Sequence, residues 1–269
     1  MNFKLLCTDI DGTLLNKDRK LSALTISEIK RIHPEIPVIL ISSRMPKAMR
    51  HLQRTLGIED IPLIAYNGGL ILDGSMVIET TEIDYATLAS IIELAKNTSI
   101  HLSLYHNDDW FVPEMDYWAK REQNNTQVTP IVQSLHDTLA FLKAEKKGVH
   151  KIMAMGDENE INQLFKSAEE NNSKELHLYR SKSTYIEIAN KSISKETALT
   201  KLLQHRYPEI QLVHVVAYGD NYNDIAMLKA VGAGIAVANA KQEVLAIANE
   251  ITNTNIDDGV AKSIRKYFK

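Results

Sequence analysis

Two aspartates one residue apart, Asp9 and Asp11, close an apolar run in MNFKLLCTDIDGTLL, and Gly12 and Thr13 follow at once. Three other sets of reactive side chains stand at comparable points. Ser42, Ser43 and Arg44 follow the apolar run IPVILI, Lys195 opens a helical stretch, and Asp220, Asn223 and Asp224 follow LVHVVAYG. Carboxylates gathered this densely cannot all stay ionised without a cation, because like charges raise one another's pKa. Mg2+ suits them best: it is hard, takes oxygen ligands and shares them with a substrate phosphate. A hydroxyl, backbone amides and a lysine would then hold phosphate oxygens. A carboxylate can act as nucleophile and form an aspartyl-phosphate. A second carboxylate two residues on can protonate the leaving group and later activate water. Each piece alone is weak: a lone D-x-D also occurs in surface loops, and a lone lysine is usually a solvated helix residue. The combination, in this order and at strand ends, is far more specific.

The elements that must position these groups alternate. Residues 3–8, 36–42 and 61–66 read as buried strands, and 212–220 as another. Continuous β-branched runs of this kind mark strands covered on both faces. Helices are predicted over 22–33 and 46–56, the second stopped near Gly57. ILDGSMVI (71–78) reads as a hairpin around Asp-Gly. After about residue 190 the pattern returns, with SKETALTKLLQHR as a helix N-capped by Ser194. Helices at 222–231, 241–248 and 258–268 and an apolar strand at 234–239 follow. Alternating strand and helix predict an α/β fold with a doubly wound, Rossmann-like parallel sheet. Ligands in such sheets bind beyond the carboxyl ends of the strands, so all four reactive sets can meet in one crevice. On an extended strand Asp9 and Asp11 share a side and Ile10 faces the other way.

Between these halves the texture differs. A helix at 84–97, mixed strands in HLSLYH and DWFVP, a long polar stretch at 120–127, a strand at 149–156, a helix near 158–171 and strands near 175–179 and 184–189 predict an inserted α+β domain. The expected organisation is a discontinuous core, 1–82 plus 190–269, enclosing a cap at 83–189.

A chain of 269 residues with 44% hydrophobic content can bury a sizeable core, and its formal net charge of −3 advertises no nucleic-acid partner. One cysteine, Cys7, rules out an intramolecular disulfide and fits a reducing, cytoplasmic compartment. No apolar run approaches the roughly 18 residues of a membrane span, and the N-terminus lacks the pattern of a signal peptide. The nine histidines show no H-E-x-x-H or comparable metal spacing, which speaks against zinc. Cys7 reads as a small buried hydrophobe. Trp110, Tyr117 and Trp118 read as cap core or as pocket lining, and Glu187 as structural or facing the site.

DIDGTLL (9–15), SSR (42–44), YNGG (66–69), ISKETAL (193–199) and GDNYNDIAML (219–228) together resemble the haloacid dehalogenase superfamily. The likeness is greatest to its Cof-type (subfamily IIB) phosphatases, which carry a large α/β cap (C2-type) between the second and third motifs. The resemblance implies Asp9 as nucleophile and Asp11 as general acid/base. It implies Mg2+ held by Asp9, the Asp11 backbone carbonyl and Asp220, with Asp224 acting through water. Ser42 and Lys195 would hold the phosphoryl group with Asn223 nearby, Gly12 and Ser43 would donate backbone amides, and Arg44 and Asn67 would border the substrate entrance. The implied activity is a Mg2+-dependent phosphatase acting on small phosphorylated metabolites, sugar phosphates first, with pyridoxal phosphate or FMN as other possibilities. A phosphosugar mutase of the same superfamily and a phospho-accepting regulatory protein are the alternatives. Neither the substrate nor the oligomeric state follows from the resemblance. Three positions depart from the family pattern, of which Ser42, in place of a common threonine, keeps the hydroxyl that phosphate binding needs. Ser43 replaces a common glycine and narrows backbone freedom. Glu196 replaces a common glycine after the lysine, adding negative charge in a first helical turn where the helix dipole tolerates it.

Overall fold

The computed structural model describes residues 3–269. Contacts divide the chain into two compact units, Met1–Glu79 with Ser194–Lys269, and Thr80–Ile193.

The first unit is built on strands β1 (Leu5–Thr8), β2 (Val38–Ile41), β3 (Leu63–Ala65), β4 (Leu70–Asp73) and β5 (Met76–Thr80). The chain returns to it from the second unit, whose strands are β6 (His101–His106), β7 (Asp109–Val112), β8 (Ile131–Val132), β9 (Lys151–Met155), β10 (Leu176–Lys182) and β11 (Tyr185–Asn190). Strands β12 (Val215–Gly219), β13 (Ala233–Val237) and β14 (Glu250–Thr252) complete the first sheet, in the order β14-β13-β12-β1-β2-β3-β4-β5. Pairing is parallel from β14 through β3, and β4 runs antiparallel to β3. All residues of β1, β2, β12 and β13 are buried, as a sheet covered on both faces requires. The strand order reverses between β1 and β12, the switch point where open α/β sheets form a crevice.

Local chemistry sets the helices of this unit. Ser22 caps α1 (Ala23–Ile32) by accepting from the Thr25 N–H. In α2 (Lys47–Leu56), Ala48, Met49, Leu52 and Leu56 bury one stripe. Gly57 then ends it in the left-handed region at φ 73°. Helices α3 (Tyr85–Ala95), α4 (Tyr117–Thr126), α5 (Leu135–Ala144) and α6 (Glu158–Asn172) belong to the second unit. Helix α7 (Lys195–Arg206) opens on a reciprocal Ser194–Thr197 capping box, and α8 (Ile225–Ala230), α9 (Gln242–Ile247) and α10 (Gly259–Tyr267) follow. The predicted strand 212–220 begins instead with a 3-10 turn over Leu212–His214.

The second unit pairs its strands in the order β10-β11-β9-β6-β7-β8, antiparallel except for β7 with β8. One sheet face packs Leu102, Leu104, Ile152, Ala154, Ile186 and Ile188 against Leu88, Ile91, Ile161 and Leu164 of α3 and α6. By alternation the other face carries Ser103, Tyr105, Trp110, Lys151, Met153 and Glu187. The polar stretch at 120–127 is largely helical. Asp116 caps α4 by accepting from the Ala119 N–H, and only Ala119 and Thr126 of the helix are buried. A helix that buries so little leaves no apolar periodicity to read. The short strands β8 and β14 and helix α5 likewise carry no strong pattern. Among the described residues, no helix is long and apolar enough to cross a membrane.

Candidate active site

Register brings the first and last motifs together. Thr8 pairs with Tyr218 across β1 and β12, and the Asp9 N–H donates to the Tyr218 carbonyl at 3.0 Å. Asp9 therefore stands beside Gly219 and Asp220 as both strands end. Ile10 is fully buried, as the alternation requires. At Gly12 (φ 85°) the chain turns in the left-handed region, and a Cβ there would lie 2.4 Å from Asp220 Oδ2. Only glycine permits both the turn and the approach.

Lys195 joins two carboxylates at the centre. Its Nζ donates to Asp9 Oδ1 at 2.5 Å and to Asp224 Oδ1 at 2.6 Å, and its side chain is wholly buried. Burial alone would push this ammonium down, but Asp224 and Asp9 together hold it above its ordinary value. Burial raises Asp9 well above the usual carboxylate range; Lys195 opposes the shift, and Asp224 and Asp220 add to it. Asp220 is pushed up to about 6 by burial and by Asp224. The other oxygen of Asp224 accepts the backbone N–H groups of Asp220 and Asn221 at 2.9 and 3.0 Å. The loop after β12 is thus folded over its own carboxylate.

Oxygens of Asp9, Asp220 and Asp224 lie within 4.8 Å of one another. Three hard oxygen donors, two of them with raised proton affinity, fit a divalent cation of the Mg2+ kind. A single lysine cannot neutralise three carboxylates.

The remaining sequence-predicted residues fall around this centre. Ser42 is buried at the end of β2, and its Oγ accepts from the Arg44 N–H at 3.2 Å. Arg44 is also buried, and its guanidinium grips Asp11 bidentately at 2.6 and 2.7 Å. Asp11 lies beyond the end of β1 and is partly exposed, with Arg19 3.6 Å away. Asn67 is buried, and its Oδ1 accepts from Asn223 Nδ2 at 2.9 Å. Ser43 is half-buried between Ser42 and Arg44. Glu196 follows Lys195 in the first turn of α7, where Thr200 donates to it at 3.3 Å.

Two residues to which the sequence assigned no role also belong here. Thr13 donates its hydroxyl to Asp220 Oδ1 at 3.1 Å. Asn239 donates to the Gly12 carbonyl at 2.8 Å and accepts from the Asn255 N–H. Thr13 sits inside the DIDGT motif, whereas nothing local marks Asn239.

Cys7 is fully buried, with Sγ 3.8 Å from the Met227 sulfur. In the second unit, Trp110 is buried and stacks on Tyr105 at 5.8 Å, and Lys151 Nζ lies 4.6 Å from the Tyr105 ring centroid. Glu187 lies 4.0 Å from Lys151, whereas Tyr117 is exposed and Trp118 half-buried beneath Arg121. Distant histidines do meet there: His106 and His150 face Glu82 at 3.5 and 4.0 Å. His150 Nδ1 accepts the Asn107 N–H, so the neutral ring carries its proton on Nε2 and donates to Thr80 Oγ1 at 3.0 Å. That tautomer leaves Nε2 no lone pair for a metal.

Comparison with known proteins supplies a context for this geometry. The family described as haloacid dehalogenase-like hydrolase matches residues 6–264. A putative phosphatase of Haemophilus influenzae is 30% identical over 272 residues, covering 100% of this chain and 99% of the relative. A pyridoxal phosphate phosphatase of Escherichia coli is 29% identical over 277 residues and is covered along its full length, as is this chain. The crystal structure of a haloacid dehalogenase-like hydrolase from Bacteroides thetaiotaomicron superposes with a TM-score of 0.89. It shares 25% sequence identity, with 99% of this chain and 100% of that chain covered.

Proposed function

Because the chain belongs to the haloacid dehalogenase-like hydrolases, as a Cof-type phosphatase, we propose that it is a Mg2+-dependent phosphomonoesterase working through an aspartyl-phosphate on Asp9. The observation that carries this reading is the bridge of buried Lys195 between Asp9 and Asp224, with Asp220 beside them. Lys195 donates to Asp9, opposes the rise that burial imposes on its carboxyl, and fixes that group beside the ends of β1 and β12.

In the proposed reaction an Asp9 oxygen attacks phosphorus as the bond to the leaving oxygen breaks. Asp11 gives that oxygen its proton. It then takes a proton from the water that attacks the acyl phosphate, and Asp9 is regenerated with release of phosphate. To serve there, Asp11 must exchange its bidentate Arg44 pairing for the substrate. Lys195 and the Ser42 hydroxyl hold phosphoryl oxygens, with Asn223 and the backbone amides of Gly12 and Ser43 assisting. Arg44 and Asn67 act on the site from within the fold rather than from a rim, since both are buried.

Asp9, the Asp11 carbonyl and Asp220 would hold Mg2+, with Asp224 contributing through water. The ion, when bound, offsets the charge on the phosphoryl oxygens. The substrate is a small phosphorylated metabolite. Sugar phosphates come first, and pyridoxal phosphate enters because the Escherichia coli relative is named for it. The net charge of −3 and the single buried cysteine suit a cytoplasmic enzyme with no nucleic-acid partner.

The test is a panel of hexose and pentose phosphates, pyridoxal phosphate and FMN, assayed for phosphate release with Mg2+ and with EDTA. Release that stops in EDTA and returns with Mg2+ supports the reading. Isomer formation without phosphate release would replace it with a mutase. A stable phosphoprotein that turns over no small substrate would replace it with a regulatory acceptor.

A further inference from the structure

The turn after β3 adopts a backbone that most residues avoid. Tyr66, Asn67 and Gly68 take φ values of 53°, 56° and 108° in succession. Positive φ costs a non-glycine residue free energy, and asparagine tolerates it best. Strain of this kind persists only where the surroundings over-determine it, and here three separate segments do so.

The Asn67 N–H donates to the Ser42 carbonyl at 2.8 Å, and the Tyr66 N–H to the Arg44 carbonyl at 3.1 Å. The turn thus holds both ends of the SSR segment by its main chain. The Asn67 side chain reaches across the site and accepts from Asn223 Nδ2 at 2.9 Å. Gly68 lies against the start of α7: a Cβ there would stand 2.7 Å from both the Ala198 Cβ and the Ser194 carbonyl oxygen. Lys195 is the next residue after Ser194. One strained turn therefore touches the segments carrying Ser42, Lys195 and Asn223, which come from distant parts of the chain.

We propose that Asn67 is a positioning residue for the phosphoryl-holding groups. It fixes the Asn223 amide through its side chain while its left-handed backbone fixes Ser42. The proposal rests on the reading of Ser42, Lys195 and Asn223 as the groups that hold the phosphoryl. The chemistry suits an acceptor that must be uncharged. An amide oxygen orients Asn223 without adding negative charge where a phosphate dianion binds, whereas a carboxylate would repel it.

The test separates the side chain from the turn. Asn67→Gly keeps the left-handed backbone at no steric cost and removes the side-chain amide, with the acceptor it offers Asn223. The most active phosphoester, with Mg2+, gives kcat, KM and the inhibition constant of inorganic phosphate for the wild type, N67G, N223A and the double variant. Misplacement of a phosphoryl-holding amide by a fraction of an ångström is expected to lower kcat/KM by roughly tenfold to a hundredfold and to weaken inhibition by phosphate. In the N223A background the same substitution should cost less than about twofold, because the coupled partner is gone.

A cost that persists undiminished alongside N223A overturns the proposal. So does a lower apparent kcat with an unmoved phosphate inhibition constant, which is the signature of a smaller folded fraction. A melting curve precedes the kinetics, and Asn67→Ala enters the same cycle if N67G does not fold. A wild type that neither releases phosphate nor binds it overturns the underlying reading and the positioning role together. A wild type active as expected confines any failure to Asn67.

Discussion

Replacing Lys195 with methionine keeps the length of a fully buried side chain and deletes its charge. In the metal-free protein this leaves Asp9 and Asp224 facing each other with no cation, their partner having stood 2.5 and 2.6 Å away. Removing one member of a buried ion pair costs about 3–5 kcal/mol, most of it the desolvation of the charge left behind. For a unit of about 150–250 residues, each kcal/mol moves the melting temperature by roughly 2–4 °C. A loss of about 6–20 °C is therefore expected in EDTA at pH 8. The pH dependence gives a second handle. Without Lys195, the Asp9 carboxyl, already raised by burial, is held higher still. A folded-state pKa above the unfolded value gives stability that is present at low pH and lost as pH rises. The gap between variant and wild type should thus narrow toward pH 5 as the variant takes up a proton. Differential scanning calorimetry across pH 5–8 in EDTA measures it. A variant melting within about 3 °C of wild type at pH 8, or a gap that widens as pH falls, would refute the claim that Lys195 neutralises this pair.

Asp11→Asn should lower kcat by about a hundredfold to ten-thousandfold for substrates with poor leaving groups; steady-state assays should show p-nitrophenyl phosphate, whose leaving group needs little protonation, affected far less. Asp220, held up at about 6, binds a proton that a divalent cation must displace, so Mg2+ affinity measured by titration calorimetry should strengthen as pH rises from 5 to 7. Affinity flat across that window would contradict the assignment of Asp220 to the metal. In the second unit, burial holds His150 down at about 3 and its neighbour His106 below the usual histidine value. Both charge in the unfolded chain below about pH 6.5, so stability present above that pH should drain as pH falls toward 4. His150→Gln should flatten this slope in chemical denaturation curves.

Much of the site was legible because parallel α/β topology turns strand ends into neighbours. Asp9, Ser42 and Asp220 each follow a buried run of β-branched or aliphatic residues, and Lys195 follows a capped helix start. What the sequence concealed was which way the side chains turn. Arg44 and Asn67 sit where an entrance was expected, yet one clamps Asp11 and the other joins Asn223, 156 positions away. Such pairings depend on rotamer and tertiary register, which no local spacing encodes. The same holds for His106, His150 and Glu82, whose meeting in the second unit leaves no motif. Helix α4 escaped because it is held by Asp116 and by exposure to solvent rather than by an apolar stripe.

The most direct test of the central claim is a rapid acid quench of the enzyme during turnover of a 32P-labelled sugar phosphate with Mg2+, followed by peptide mapping of the labelled protein. Label is expected on the peptide that contains Asp9, lost on treatment with hydroxylamine and absent from Asp9→Asn, which should remain folded and inactive. Label on any other residue, or an Asp9→Asn variant that still releases phosphate at a substantial rate, would contradict Asp9 as the nucleophile.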